Sequence, residues 1–289
     1  MTVTTLRTFI EQAAPGLEVE YPSARRLLRQ LAAFRLQTSE GLLLAHPEHR
    51  LSQAQLERLN LDAQHLMEGR PLAWLYGFVP FLNWEFLSDE RALTPRPETE
   101  ALVEMVVAQY KDQQAPVRIL DLCCGSGVMG LALALSFPNA QVHLTDLCPK
   151  ALSLCGENVA KHGLQARTQL FEGNLWQALP THETYDLIVA NPPYVAHDDT
   201  VEAGVVAHEP HLALFSEDRG MDHIKRILTH LPEHLNAPCR AAFELGHEHH
   251  QQLASWLAKR GDGARFRFEE DPFGVPRYLF YTQDAPYKV

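Results

Sequence analysis

The chain has 289 residues, 46 % of them hydrophobic and 21 % charged, with a formal net charge of −11. That length provides for one large or two modest domains with a proper core, and the acidic balance argues against a protein that grips phosphate backbones through clustered Lys and Arg. No apolar run approaches the roughly 20 residues that span a bilayer, and the opening MTVTTLRTFIEQAAPG lacks a signal peptide's pattern, so the cytoplasm is the expected compartment.

Residues 1–75 read as helices. Residues 23–31 place apolar side chains at helical spacing after Ser23, a candidate cap, and residues 52–59 do the same with Ser52 and Gln55 in capping-box positions. Gly69-Arg70-Pro71 ends this region. Residues 78–86 are aromatic and extended, the pattern of a β-hairpin. From about residue 100 the texture alternates. Strands are expected at 117–122, 140–145, 166–172, 185–190 and 239–245. Helices are expected at 127–137, 149–162, 221–235 and 247–260, and a strand pair at 265–270 and 277–282 closes the chain. This rhythm specifies an α/β fold, a parallel sheet with helices on both faces.

Residues 119–130 read ILDLCCGSGVMG, in which Gly125, Gly127 and Gly130 form a GxGxxG between a strand and a helix. Glycines let a backbone approach a ligand, and a helix N-terminus offers free N–H groups to an anion. That pattern alone is compatible with NAD or another nucleotide-like ligand. Asp121 ends the strand four residues before Gly125, where a carboxylate repels a diphosphate and attracts a ligand bearing ammonium and sulfonium charges. S-adenosylmethionine carries both. Asp146 ends the next strand and can accept from ribose hydroxyls, which serves either cofactor. The five cysteines are an odd number without a CxxC pair, which fits reduced thiols. Cys123 and Cys124 are read as small residues in a tight turn. His247-Glu248-His249-His250 is a dense cluster, read as a solvated helix start rather than a metal site.

The strand at 185–190 stops at Asn191, followed by Pro192, Pro193 and Tyr194. Asn-Pro-Pro-Tyr in this place resembles the motif of amino-methyltransferases, which act on nitrogen conjugated to a π-system. Such a lone pair is delocalised, so the site must orient it. Asn191 can accept one N–H through its side-chain oxygen and the Pro192 carbonyl can accept the other. Both bonds strengthen as the nitrogen gains positive charge. The prolines fix φ, and Tyr194 can pack on the face of a planar amide or base.

The helical N-terminal region, the aromatic hairpin, LTPRPETEALVE at 93–104, DLCCGSG at 121–127 and NPPYV at 191–195 occur in the order of the HemK/PrmC family, which the chain resembles over nearly its whole length. The resemblance implies a Rossmann-like S-adenosylmethionine-dependent methyltransferase sheet (residues 97–289), a hairpin linker (77–96) and a small helical substrate-recognition domain (1–76). It implies methylation of the side-chain N5 of a protein glutamine. The expected partner is a peptide chain release factor with a Gly-Gly-Gln loop. RPETE and LLLAHPEHRLS resemble that branch, whereas HEPHLAL at 208–214 resembles the branch that methylates a ribosomal protein. A DNA adenine methyltransferase would use the same clamp but needs a basic groove, so no direct nucleic-acid partner is expected. The implied cofactor set is Asp121, Cys123, Cys124, Gly125, Ser126, Gly127, Asp146, Asn174, Leu175 and Asn191; Asn191, Pro192, Pro193 and Tyr194 handle the substrate. No metal is expected. Three positions depart from the family pattern. Cys123 stands for a usual Gly, tolerable if φ stays negative; Asn174 stands for an Asp near the adenine, with a carbonyl still able to accept; Leu175 stands for a common aromatic. Glu98 and Glu100 are either helix caps, in a helix started by Thr94 and Pro95, or part of a segment over the cofactor. Glu209-Pro210 is expected to shape the active site.

Overall fold

The computed structural model describes residues 4–111, 114–261 and 263–283. The ends of the expected outer domains, residues 1–3 and 284–289, lie outside them. The chain divides into two compact units: residues up to Gly77 together with Val201–His208, and Phe78–Thr200 together with residues from Glu209 on. The expected boundary at 76 therefore shifts by one residue. Nothing in the local pattern of residues 201–208 marks them as part of the helical unit.

The helical unit contains helices Leu6–Ala13, Ala24–Arg35, Glu40–Ala45, Gln53–Met67 and Leu72–Tyr76, with Ala203–His208 added from downstream. Their apolar faces meet in one core that includes Leu6, Phe9, Leu28, Leu31, Leu59 and Leu66. Ser52 and Gln55 form both bonds of the capping box. Ser23 does stand at an N-cap, but with φ −106° and ψ 32° its hydroxyl caps nothing. The fully buried Asp62 is held by the Arg35 guanidinium through two bonds, 2.7 and 3.0 Å.

The hairpin pairs β1 (Phe78–Phe81) with β2 (Trp84–Leu87). The hairpin contributes Phe81 and Phe86 to the sheet unit's core. The main sheet comprises β3 (Arg118–Leu122), β4 (Gln141–Asp146), β5 (Thr168–Glu172), β6 (Tyr185–Ala190), β7 (Leu235–Glu244), β8 (Phe266–Glu270) and β9 (Pro276–Gln283), in the order β5-β4-β3-β6-β7-β9-β8. β3 to β7 run parallel; β9 is antiparallel to both neighbours. Strand alternation sorts side chains to two cores. Ile119, Leu187 and Val189 face one, with the apolar helix Val128–Ser136; Leu120, Ile188 and Ala190 face the other, with helices Asp222–His230 and His250–Arg260.

The expected helix 221–235 becomes a 3-10 turn at Leu231–His234, where Pro232 removes a donor. The expected helix at 247 begins only at His250. The chain runs outward from β3 through β4 to β5, then returns to the other side of β3 as β6. In open α/β sheets a ligand crevice forms at such a reversal, beyond the carboxyl ends of the strands.

Candidate active site

A cleft of about 1010 Å³, open solvent included, lies at this reversal and is large enough for a nucleoside-sized ligand. Cys123, Cys124, Gly125, Ser126, Asp146, Asn174, Leu175, Asn191 and Pro193 line it. The structure thus brings together nine of the thirteen expected residues from the ends of β3, β4, β5 and β6. Asp121, Gly127, Pro192 and Tyr194 are outside the lining.

Asp121 is fully buried; its Oδ2 accepts from the Gly130 N–H at 2.8 Å, and its Oδ1 has no hydrogen-bond partner. Burial raises its pKa to about 8, only partly opposed by that one bond. Gly130 is needed for this contact, since a Cβ there would fall 2.9 Å from the Asp121 side chain. Gly127 has φ +83°, and a Cβ on it would overlap Cys155 Sγ at 2.4 Å. It therefore shapes the loop from behind. Gly125, at φ +55°, donates its N–H to Asp146 Oδ2 at 2.8 Å, and Cys148 N–H donates to Oδ1 at 2.8 Å. Asp146 thus arrives in the cleft already oriented, with two of its roughly four acceptor positions used.

The departures also resolve. Cys123 has φ +59°, so the condition of a negative φ fails: a cysteine occupies a left-handed position that glycine takes without strain. Burial raises the thiols of Cys123 and Cys124, which disfavours their thiolate forms. Leu175 is likewise left-handed, at φ +51°. Asn174 Oδ1 already accepts from the Arg226 guanidinium at 3.0 Å, so the carbonyl expected to be available is shared.

At the end of β6 the Asn191 Nδ2 donates to Thr99 Oγ1 at 3.2 Å, and the Thr99 hydroxyl donates to Glu244 Oε2 at 2.7 Å. Tyr194, expected on the face of the substrate group, donates its hydroxyl to Glu244 Oε1 at 3.4 Å. Pro192 is buried. Thr94, Pro95 and Arg96 line the cleft, as do Pro210, Leu212 and Ala213 from the short helix His211–Leu214 and its cap. The buried Glu209 ties the two segments, accepting from the Thr94 N–H at 2.9 Å and from Arg96 at 2.5 Å. The helix here starts at Pro97, not at Thr94 or Pro95. Glu98 and Glu100 occupy its first turn, and Glu100 also accepts the Leu82 N–H of the hairpin. Neither lines the cleft. Thr99 and Glu244 escaped sequence reasoning. Thr99 was legible as the residue between two singled-out glutamates; Glu244 carries no signal beyond being an acid at the end of an apolar strand.

A left-handed glycine loop, an oriented carboxylate at the end of β4, and a buried orphan carboxylate oxygen under the loop fit a cationic nucleoside cofactor. The fold and the Asn-Pro-Pro-Tyr corner define an S-adenosylmethionine-dependent methyltransferase. Residues 97–209 match the model of the methyltransferase small domain, and residues 9–77 match the PrmC N-terminal domain. The chain is 31 % identical over 282 residues to a release factor glutamine methyltransferase of Koribacter versatilis, covering 95 % of this chain and 97 % of that one. It is 40 % identical over 195 residues to a ribosomal protein uL3 glutamine methyltransferase of Bordetella pertussis, covering 66 % and 64 %. Among solved structures, the hMettl16 catalytic domain shares the fold with a TM-score of 0.54 at 14 % identity, over 82 % of this chain and 84 % of that one. The chain belongs to the release factor glutamine methyltransferase family.

Proposed function

We propose that this methyltransferase modifies the side-chain N5 of a glutamine in a protein, the Gly-Gly-Gln loop of a peptide chain release factor, in the cytoplasm. Support for the release factor over the ribosomal protein comes from extent. The release-factor relative aligns along nearly the whole chain, including the helical unit, whereas the uL3 relative aligns along about two thirds. The absence of any helix long and apolar enough to cross a membrane among the described residues is compatible with that compartment.

The observation that carries the chemistry is the pinned Asn191 amide. One N–H of its NH2 is given to Thr99, which fixes the amide's orientation and leaves Oδ1 as an acceptor for one substrate N–H. The Pro192 carbonyl takes the other N–H, held by a residue whose φ is fixed. Bound S-adenosylmethionine supplies an electrophilic methyl group on a sulfonium that leaves as a neutral thioether. Asp146 and the Gly125–Ser126 backbone would hold it, and a cationic end bound near Asp121 would favour the ionised form of that buried carboxyl. The two acceptors turn the amide nitrogen's lone pair towards the methyl carbon. They bind more strongly as that nitrogen becomes positive, so their effect falls on the transition state. The methylated nitrogen then loses one proton to solvent; orientation is the main catalytic resource.

The test supplies tritiated cofactor with release factor, large-subunit ribosomal proteins and duplex DNA in parallel, followed by mapping of the label. Label on the glutamine of a Gly-Gly-Gln loop is the expected result. Label on a ribosomal protein alone would keep the chemistry and replace the partner, and label on DNA alone would overturn the assignment.

A further inference from the structure

Glu244 is buried, ionisable and unused by the chemistry above. We propose that Glu244, acting through Thr99, is a positioning residue that decides which end of the Asn191 amide faces the cleft, so that its protonation switches methyl transfer off. The proposal rests on the reading of Asn191 as the acceptor for the substrate amide.

Thr99 Oγ1 has a single hydrogen and sits between Glu244 Oε2 at 2.7 Å and the Asn191 amide at 3.2 Å. A carboxylate can only accept. With Glu244 ionised, the Thr99 hydrogen must point to it, and Thr99 has only lone pairs left for Asn191. The amide must therefore present its NH2 to Thr99 and its oxygen to the cleft. A protonated Glu244 can donate to Thr99 instead. The Thr99 hydrogen is then released towards Asn191, which is satisfied by presenting its oxygen. The NH2 group turns to the cleft, where it meets the substrate's own N–H, donor against donor. The same relay thus yields a competent and an incompetent site that differ by one proton.

The surroundings place the switch in a useful range. Glu98, in the first turn of the helix that carries Thr99, opposes ionisation of Glu244. On β9, Arg277 favours ionisation, but its guanidinium is engaged by Asp271 at 2.8 Å. Tyr278, opposite Glu244 in the β7–β9 register, gives its hydroxyl to the Glu98 carbonyl at 2.7 Å. Beyond β6, Tyr194 donates to Glu244, and Arg96 lies near enough to act on Tyr194. With Glu244 1 % exposed, burial outweighs these contacts and raises its pKa to about 7.

The test measures kcat, KM and cofactor affinity from pH 5.5 to 8.5 for the wild type, Glu244→Gln, Thr99→Val and Thr99→Ser, using the protein substrate found by label mapping. Alongside, the side-chain amide signals of Asn191 are followed by ¹⁵N NMR, which needs no turnover. In the wild type, kcat should fall about tenfold per pH unit below a midpoint near 7, and the Asn191 signals should move with the same midpoint. Glu244→Gln should remove both effects and lower the plateau at least about tenfold, with cofactor affinity within about twofold of wild type. Thr99→Ser should retain the acid limb and Thr99→Val should lose it. That pair carries the test if Glu244→Gln does not fold. An acid limb that persists in Thr99→Val, or Asn191 signals that ignore pH, overturns the proposal. If instead Asn191→Ala turns over at the wild-type rate, the acceptor reading has failed, which is a separate result.

Discussion

Asp121→Asn should make the cofactor-free protein more stable at neutral pH and a poorer binder of its cofactor. The folded protein raises this carboxyl from an ordinary 3.8 to about 8. Between those values the folded state binds more protons than the unfolded state, so stability falls as pH rises through the window. At pH 7 the interval above 3.8 is about three pH units, and at about 1.4 kcal/mol per unit the penalty is about 4 kcal/mol. Asparagine keeps the shape and still accepts from Gly130, but its NH2 replaces an oxygen that has no partner. An unsatisfied buried amide costs about 1–3 kcal/mol, so a net gain of about 1–3 kcal/mol remains. Urea unfolding at pH 5 and pH 7.5 should show the wild type losing stability between the two and the variant changing less. Titration calorimetry should show weaker cofactor binding by the variant, because the counter-charge is gone. A variant less stable than wild type at pH 7.5, or one with the wild-type pH slope, would refute the reasoning.

Asn191→Ala should lower kcat by about 10²–10³, the cost of removing one donor–acceptor contact made in the transition state, while cofactor binding measured by calorimetry stays within a few-fold. Gly127→Ala should cost several kcal/mol in chemical denaturation, since it adds a left-handed strain of about 1–2 kcal/mol to a 2.4 Å overlap with Cys155 Sγ. Adding Cys155→Ala should recover the overlap and leave the strain. Cys123→Gly should be neutral or gain up to about 1 kcal/mol, because relief at φ +59° is offset by glycine's larger unfolded-state entropy; a loss beyond 1 kcal/mol would show that the thiol packs.

The parts of the site that sequence reasoning reached are those built from consecutive residues. The glycine loop and the Asn-Pro-Pro-Tyr corner each occupy one strand end, and strand ends follow from where apolar runs stop. Asp146 and Asn191 follow from such ends. Residues that act from a distance were out of reach. Glu244 is 53 positions beyond Asn191 in the chain, and only the β6–β7 and β7–β9 pairings bring it under Thr99. Tyr194 shows the same limit: an aromatic beside two prolines suggests a stacking wall, and nothing nearby in the chain announces the buried carboxylate that its hydroxyl reaches. The φ at Cys123 was equally hidden, because a positive dihedral is usually inferred from a glycine and here no glycine marks it.

The two buried acids at the site share one physical character. Asp121 and Glu244 are each fully enclosed and each raised well above a normal carboxyl; Asp121 accepts from the Gly130 N–H behind the glycine loop, and Glu244 accepts from Tyr194 and from Thr99, which lines the cleft. A scaffold selected for stability alone would replace both with apolar or neutral groups. Their retention in this chain is intelligible if the cost is borne by the ligand-free enzyme and returned on binding: a cationic cofactor for Asp121, an amide needing an acceptor for Glu244. Removing the charge at either position should therefore separate stability from activity in opposite directions, which ordinary core substitutions do not do.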